Sequence, residues 1–577
     1  MPDIDRPWLK HYDQDVPHFP RIETKPVFEV LDDSAKRWPG RTAVSFQNWS
    51  ITYAKLKRLT GILAHNLRKH GLKRGDRVAV MLPNTPQTII AYWGVLRAGG
   101  TVVFTNPLYM ETEIVHQFRD SGARFLITLD LLWPKIDALR PQLNIEKYFV
   151  SGIADGLRFP LNMLYKLRSW RDGQSGKVTF DDTRVFPWNT LLSGMSTYTA
   201  KGLIPEKDLA LLQYTGGTTG QAKGCMITHA SLCANLMQCT AMLPGLGAEQ
   251  ELFLGVLPYF HIYGLTVCLN LCTALGATQI PFPRYVPGDV LKTIHKEKPT
   301  VFPGAPSVYI SLMQQKNVSS YDLSSIKYCV SGSAPMPVEW FELFSKATGA
   351  HICEGYGLSE ASPVTHINPL NGRFKNGSIG LPVPGTDAKI VDMDLGGPHL
   401  GPNKLGELVV RGPQTMAGYF KKPDESADVL RNGWLYTGDI AYMDDDGYFF
   451  IVDRKKDLII SAGYNIYPRE IDEILHQHPK VHEAVSVGIP CDARGEVVKV
   501  FIVPKPGEKP TKAEIIAFCR SKLAGYKVPR QVEFRESLPK TMVGKVLRRA
   551  LRAEEAAKAQ ACTAQVVDAG DSGQPEA

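Results

Sequence analysis

The sequence predicts an α/β protein: a large N-terminal domain of parallel sheets with helical cover plus a β-rich subdomain, followed by a small C-terminal α/β domain. Three features carry this. From Thr52 onward, apolar runs of strand length alternate with segments of helical period, and strands separated by helices imply parallel sheets. From Lys389 to Val410 the helical pattern stops, and short strands are joined by Gly- and Pro-rich turns. A charged cluster, Asp453-Arg454-Lys455-Lys456-Asp457, then separates two apolar strands and opens a second α/β pattern. The expected divisions are residues 1–455, 456–553 and a tail from Glu554, rich in Ala, Gln, Gly and Asp, that is expected to be disordered.

Within the first domain, Leu56, Leu59, Leu63 and Leu67 lie at helical spacing, and Arg77 to Leu82 reads as a buried strand after the Gly75-Asp76 turn. Ala91 to Leu96 reads as helix and Thr101 to Phe104 as strand. Further strands are expected at Phe125 to Thr128, Tyr148 to Val150, Val301 to Phe302 and Ile326 to Val330. In the last domain Pro468 opens a helix to His476, and strands follow at Ala484 to Val487 and Val497 to Val503. The segment Arg158 to Arg171 is both basic and apolar. Its first reading is a surface helix packing its apolar side inward, and its second is a membrane-surface role.

The 577 residues are too many for one compact core. A net charge of +8 suits an anionic ligand or an acidic membrane surface and says little for nucleic acid. The ten cysteines show no zinc-type pairing, and Cys268, Cys272 and Cys329 sit in apolar runs as small buried residues, which fits a reducing, cytoplasmic compartment. The start, MPDIDRPWLK, has no apolar core and is not a secretory signal, and Leu265 to Ile280 falls short of a spanning helix.

The strongest chemical signal is Thr215-Gly216-Gly217-Thr218-Thr219-Gly220-Gln221-Ala222-Lys223-Gly224, after the apolar run Ala210 to Leu212. Glycines let the backbone present its N–H groups, and hydroxyls and a lysine add donors, which is what polyphosphate needs. The P-loop pattern cannot be aligned here. In Glu354-Gly355-Tyr356-Gly357-Leu358-Ser359-Glu360 an aromatic flanked by glycines can offer its face to a purine, and Glu360 can hold Mg²⁺.

This ordered set resembles the adenylate-forming (AMP-binding) superfamily, and most of all bacterial long-chain fatty acid–CoA ligases; the resemblance runs from about Val27 to Leu551. It implies that Thr215, Gly216, Gly217, Thr218, Thr219, Gly220 and Lys223 bind the phosphates of ATP, with Thr218 and Glu360 at the metal. Gly332, Ser333, Ala334 and Pro335 would run along the adenine and acyl pocket, beside Glu354, Gly355, Tyr356, Gly357 and Ser359; Tyr356 would stack on adenine. Asp439, in Tyr436-Thr437-Gly438-Asp439, and Arg454 match the ribose readers, and the string Asn432 to Lys456 resembles the fatty acyl signature. Lys545 matches the catalytic lysine, and His261 a residue that positions or gates the carboxylate site. Lys456 aligns with the hinge of a mobile C-terminal domain, while Ser461, Ala462, Gly463 and Tyr464 match a loop along the CoA tunnel. Tyr263, Gly304 and Ser331 are expected in the acyl pocket.

The function implied is an acid–thiol ligase that adenylates a fatty acid with release of pyrophosphate and then forms acyl-CoA, using ATP, Mg²⁺ and coenzyme A. A carrier-protein-loading ligase, a medium-chain or aryl acid–CoA ligase and an inactive acyl-nucleotide-binding scaffold are the competing readings. Tyr263 to Leu269 holds no acid to bind an amine, which argues against amino-acid adenylation. A homodimer and a peripheral contact with the cytoplasmic membrane face stay open, and no nucleic acid partner is expected.

Overall fold

The computed structural model describes residues 5–171, 177–215, 222–247, 249–334, 336–491, 494–541 and 545–558. The chain divides into two compact units. The first comprises residues 1–388, 410–436 and 446–448, and the second residues 389–409, 437–445 and 449–577.

Among its described residues the first unit holds two large sheets. One orders its strands Leu381–Pro382, Val364–Ile367, His351–Gly357, Tyr328–Ser331, Val301–Gly304, Leu252–Gly255, Thr278–Pro281, Thr42–Phe46 and Trp49–Thr52. The run from His351–Gly357 to Thr42–Phe46 is parallel, with antiparallel strands at both ends. The other orders Val185–Pro187, Lys147–Ser151, Phe125–Leu129, Arg77–Met81, Thr101–Phe104, Leu209–Thr215 and Lys223–Thr228, parallel up to a final antiparallel pair. Central strands such as Val78 to Met81 are apolar on both faces because both are covered, which is why they read as continuous apolar runs.

The helix expected at Ala91 to Leu96 spans Pro86–Arg97 and is buried along its whole length. It starts earlier than the apolar run because Pro86 sits in its first turn, where no backbone N–H is needed. Its one charge, Arg97, has a side chain 3% exposed and is forked onto Asp32 at 2.6 and 3.1 Å, with further bonds to Thr60 and Thr199.

In the second unit, Val481–Cys491 and Gly495–Pro504 form a long antiparallel pair. Ile459–Ser461 and Gln531–Phe534 also join this sheet, and the helices Pro468–His476 and Lys512–Lys522 belong to the same unit. Strands Gly406–Arg411, Trp434–Met443 and Phe449–Arg454 belong to a separate five-stranded sheet, the β-rich pattern seen from Lys389 onward.

Two expectations are corrected. The tail does not begin at Glu554: residues 548–558 are helical, with Leu551 fully buried. Arg535 holds Glu554 at 2.6 Å and Lys499 holds Glu555 at 2.6 Å, so a polar stretch is ordered by charge pairing rather than by apolar period. The segment Arg158 to Arg171 is helical over Leu161–Arg171, but it does not pack its apolar side inward. Asn162, Tyr165 and Ser169 are half-buried, whereas Leu161, Met163, Leu164 and Leu167 face solvent. The Asn48 amide bonds both the carbonyl and the N–H of Arg158 at 3.1 Å, fixing how the chain enters this helix.

No helix among the described residues is long and apolar enough to cross a membrane. Replacing Arg97 with alanine leaves Asp32 without its main partner and is expected to destabilise the first unit by about 3 kcal/mol in urea unfolding. A loss below about 1 kcal/mol, the range of exposed ion pairs, would show that the pair does not hold this helix.

Candidate functional site

Thr215 ends one strand and Lys223 starts the next, and the two are paired in register. Gly216, Gly217, Thr218, Thr219, Gly220 and Pro335 lie outside the described residues. The segment 416–420 runs beside the Lys223 strand: Phe420 donates to the Gly224 carbonyl at 2.8 Å, and Met226 and residues 417–418 exchange backbone bonds. This brings Tyr419 to the phosphate-loop strand. Its hydroxyl donates to Glu360 Oε1 at 2.7 Å, and Lys223 Nζ lies 5.1 Å over its ring. Lys223 and Glu360 thus meet at one corner. Burial, and then the Glu360 carboxylate, push the Tyr419 phenol far above its ordinary range, so it stays a donor. Lys223 also pairs with Glu425, and that bond holds the Glu425 carboxyl below its usual value.

Glu360 follows Tyr356 through a break in the strand. Gly357 sits where the register shifts, and a Cβ there would lie 2.1 Å from the Pro363 carbonyl oxygen. That oxygen accepts the Leu358 N–H at 2.9 Å. Only glycine lets the chain turn this closely, carrying Tyr356 half-buried at the strand end and Ser359 and Glu360 into the turn Ser359–Ala361. Glu354 Oε1 accepts the Met336 N–H at 2.9 Å, tying the loop of Gly332, Ser333 and Ala334 back to the Tyr356 strand. Gly355 lies between them on that strand.

Gly304 and Ser331 are paired in register on neighbouring strands, and Tyr263 lies against them. The Tyr263 hydroxyl donates to the carbonyls of Gly304 (3.1 Å) and Val330 (2.8 Å), and a Cβ on Gly332 would sit 3.0 Å from its ring. The Ser331 hydroxyl is buried with no hydrogen-bond partner among the described residues. His261 Nδ1 accepts the Tyr263 N–H at 3.3 Å, so the ring hydrogen of the neutral form is on Nε2. Desolvation lowers its imidazole to about 4. Gln213, on the phosphate-loop strand, donates to the Phe260 carbonyl next to it at 3.1 Å.

In the second unit Asp439 and Arg454 face each other across paired strands, with Arg454 Nε 3.1 Å from Asp439 Oδ1. Lys545 is tied to Thr541: the Thr541 N–H donates to its carbonyl at 2.7 Å and its own N–H to the Thr541 hydroxyl at 3.1 Å. Desolvation, then the Arg454 guanidinium, lower its ammonium to about 8, with Asp439 opposing. The residue keeps solvent access, so the shift reflects crowding by charge and protein rather than full enclosure. Ser461 and Tyr464 are paired across a hairpin whose turn residues, Ala462 and Gly463, have φ of 50° and 80°. Gly463 therefore serves the turn, since a Cβ there meets nothing within 4 Å. Tyr464 stacks on Tyr526 at 4.7 Å. The carbonyls of Lys456 and Asp457 are held by Arg552 at 2.9 and 3.0 Å.

No sequence motif singles out Tyr419, Glu425, Tyr526 or Arg552. Each acts through a partner distant in the chain, so only a pairing signal between positions could have found them.

Parallel sheets of this order, with an acid and a lysine meeting at one corner and the Gly/Thr string of the sequence just before that lysine, are the marks of the adenylate-forming class of α/β enzymes. The chain belongs to the AMP-binding enzyme family: that family matches residues 31–420, and its C-terminal domain matches residues 470–545. A long-chain-fatty-acid–CoA ligase of Bacillus subtilis (strain 168) is 48% identical, over 95% of this chain and 98% of its own. The crystal structure of ATP-bound MatB from Rhodopseudomonas palustris superimposes with a TM-score of 0.78 at 27% identity, covering 92% of this chain and 98% of its own. The anthranilate CoA ligase AuaEII in complex with anthranoyl-AMP gives a TM-score of 0.76 at 28% identity, covering 94% and 98%.

The depressed His261 value sets a pH expectation. The unfolded chain takes up a proton near the ordinary 6.5 that the folded protein refuses until about 4, so His261 subtracts stability as pH falls from 6.5 towards 4. Its imidazole signal in histidine NMR is expected to stay that of the neutral ring down to pH 5, and a midpoint near 6.5 would contradict the desolvation of this ring.

Proposed function

We propose that the protein is an ATP-dependent acid–CoA ligase for fatty acids, of long chain by its likeness to the Bacillus subtilis ligase. The observation that carries the reading is the convergence of Lys223 and Glu360 on Tyr419 beside the phosphate-type loop. A carboxylate is a poor acyl donor because its leaving group is poor. In the first step a carboxylate oxygen attacks the α-phosphorus of ATP, the bond to the β-phosphate oxygen breaks, and pyrophosphate leaves. In the second the thiol sulfur of CoA attacks the acyl carbon, the bond to AMP oxygen breaks, and the thiol proton is released.

Tyr356 stacks on the adenine, Asp439 and Arg454 read the ribose, and Thr215 and Lys223 bind the phosphates. The Lys545 ammonium stabilises charge on the α-phosphate during adenylation, where a fixed cation near developing charge is worth most. Neutral His261 lies against Tyr263 and positions the substrate carboxyl without trapping it in an ion pair. Tyr263, Gly304 and Ser331 line the acyl pocket, while Ser461 to Tyr464 approach CoA after rotation about Lys456. Glu360, a hard oxygen ligand oriented by Tyr419, suits Mg²⁺, which takes one or two carboxylates and completes its shell with phosphate oxygens and water. The ion would neutralise part of the triphosphate charge.

The test is pyrophosphate release with fatty acid and ATP, and acyl-CoA formation on adding CoA. Lys545→Ala is expected to lose adenylation by at least about a hundredfold. Thioester formation from preformed acyl-AMP should change by no more than roughly threefold. Equal loss of both half-reactions rejects alternation about Lys456, and absence of AMP with acids of every chain length rejects the ligase reading. Tyr419→Phe removes the proton that orients Glu360, and is expected to weaken Mg²⁺-dependent ATP binding about tenfold in calorimetry without changing the melting temperature. Unchanged affinity would place the metal elsewhere.

A further inference from the structure

The helix Leu161–Arg171 is turned against the usual order of a surface helix. Its half-buried positions are the polar and aromatic Asn162, Tyr165 and Ser169, and burial raises the Tyr165 phenol above its ordinary value. The apolar side chains described on it point away from the protein: Met163 is 61% exposed, Leu164 53% and Leu167 62%, with Phe159, just before the helix, at 74%. Exposing these side chains together in water costs free energy that a partner would recover.

The charges carried by the segment itself are of one sign, although Asp155 and Asp172 bound it and Asp130 lies near Tyr165. From Gly156 to Arg171 there is no acidic residue, while Arg158, Lys166, Arg168 and Arg171 are basic. Eleven residues make a helix about 16 Å long, too short to span a bilayer and of a length to lie in its surface. The exposed side chains are mostly flexible aliphatics on a convex helix rather than anchors in a groove. That suits the fluid boundary between headgroups and acyl chains better than a fixed protein surface.

The geometry points to a membrane-docking element at 158–171. Phe159, Met163, Leu164 and Leu167 enter the acyl boundary of a bilayer, and the flanking cations contact anionic headgroups. The element is independent of the ligase reading, and its test requires no turnover.

The full-length protein is mixed with phosphatidylcholine vesicles, with and without about one-third phosphatidylglycerol, and bound protein is measured by sedimentation at low and high salt. Wild type is expected to bind the anionic vesicles, to bind neutral ones far less, and to be released by salt. Met163→Ser/Leu167→Ser and Lys166→Glu/Arg168→Glu should each lower partitioning at least about tenfold, the charge loss alone being worth about fivefold per cation. Unchanged melting temperatures and elution volumes show that the variants are folded. The proposal is overturned if wild type stays unbound at low salt, or if both variants partition like wild type. It is also overturned if light scattering shows a wild-type dimer that Met163→Ser/Leu167→Ser converts to monomer, because the face would then belong to a second copy of the chain.

Discussion

A phenol between a carboxylate and an ammonium lets one corner of the first unit hold opposite charges without their cancelling. Tyr419 donates a hydrogen bond to Glu360 and turns its ring face to Lys223, so neither charge is consumed by the other. In the function proposed, direct collapse into an ion pair would remove both the cation offered to phosphate oxygens and the oxygen offered to a divalent metal. Lys223 is paired instead with Glu425, a partner at the surface of a short helix, and such accessible pairs contribute little and exchange readily. The placement of Tyr419 depends in turn on the backbone bonds that hold segment 416–420 along the Lys223 strand.

The second unit solves a related problem. Lys545 sits where desolvation and Arg454 disfavour its charge while Asp439 favours it, so the ammonium is easily stabilised further by an added anion. Lys545 is tied to Thr541, and the helix behind it, 548–558, reaches through Arg552 to the carbonyls of Lys456 and Asp457. The residue aligned with the hinge and the loop that carries the lysine are thus connected by one short helix, all within the same unit.

The parallel sheets were legible because strands buried on both faces must be apolar throughout, and the strand expected near Thr101 to Phe104 lies there. The helix 86–97 was found but shortened, since Gln87 and Thr88 are buried polar residues that a periodicity argument discounts. The helical end at 554–558 was missed because ion pairs with Lys499 and Arg535, not apolar spacing, order it. The site motifs were visible as local strings in which glycine, hydroxyl and charge recur at close spacing. Gly357 shows why: its neighbour is the Pro363 carbonyl six residues on, so the constraint is written within a few positions.

The order of residues by itself determined the alternation of strands and helices and singled out the nucleotide-type strings with Lys223, Glu360, Asp439 and Lys545 as candidates, because each stands out by chemistry within a short segment. Only the tertiary structure decided that Tyr419 joins two of those strings, that Arg552 holds the Lys456 carbonyl and that the 161–171 helix turns its apolar side outward. These depend on distances between segments far apart in the chain, and on which face of an element meets the core, and no local pattern encodes either.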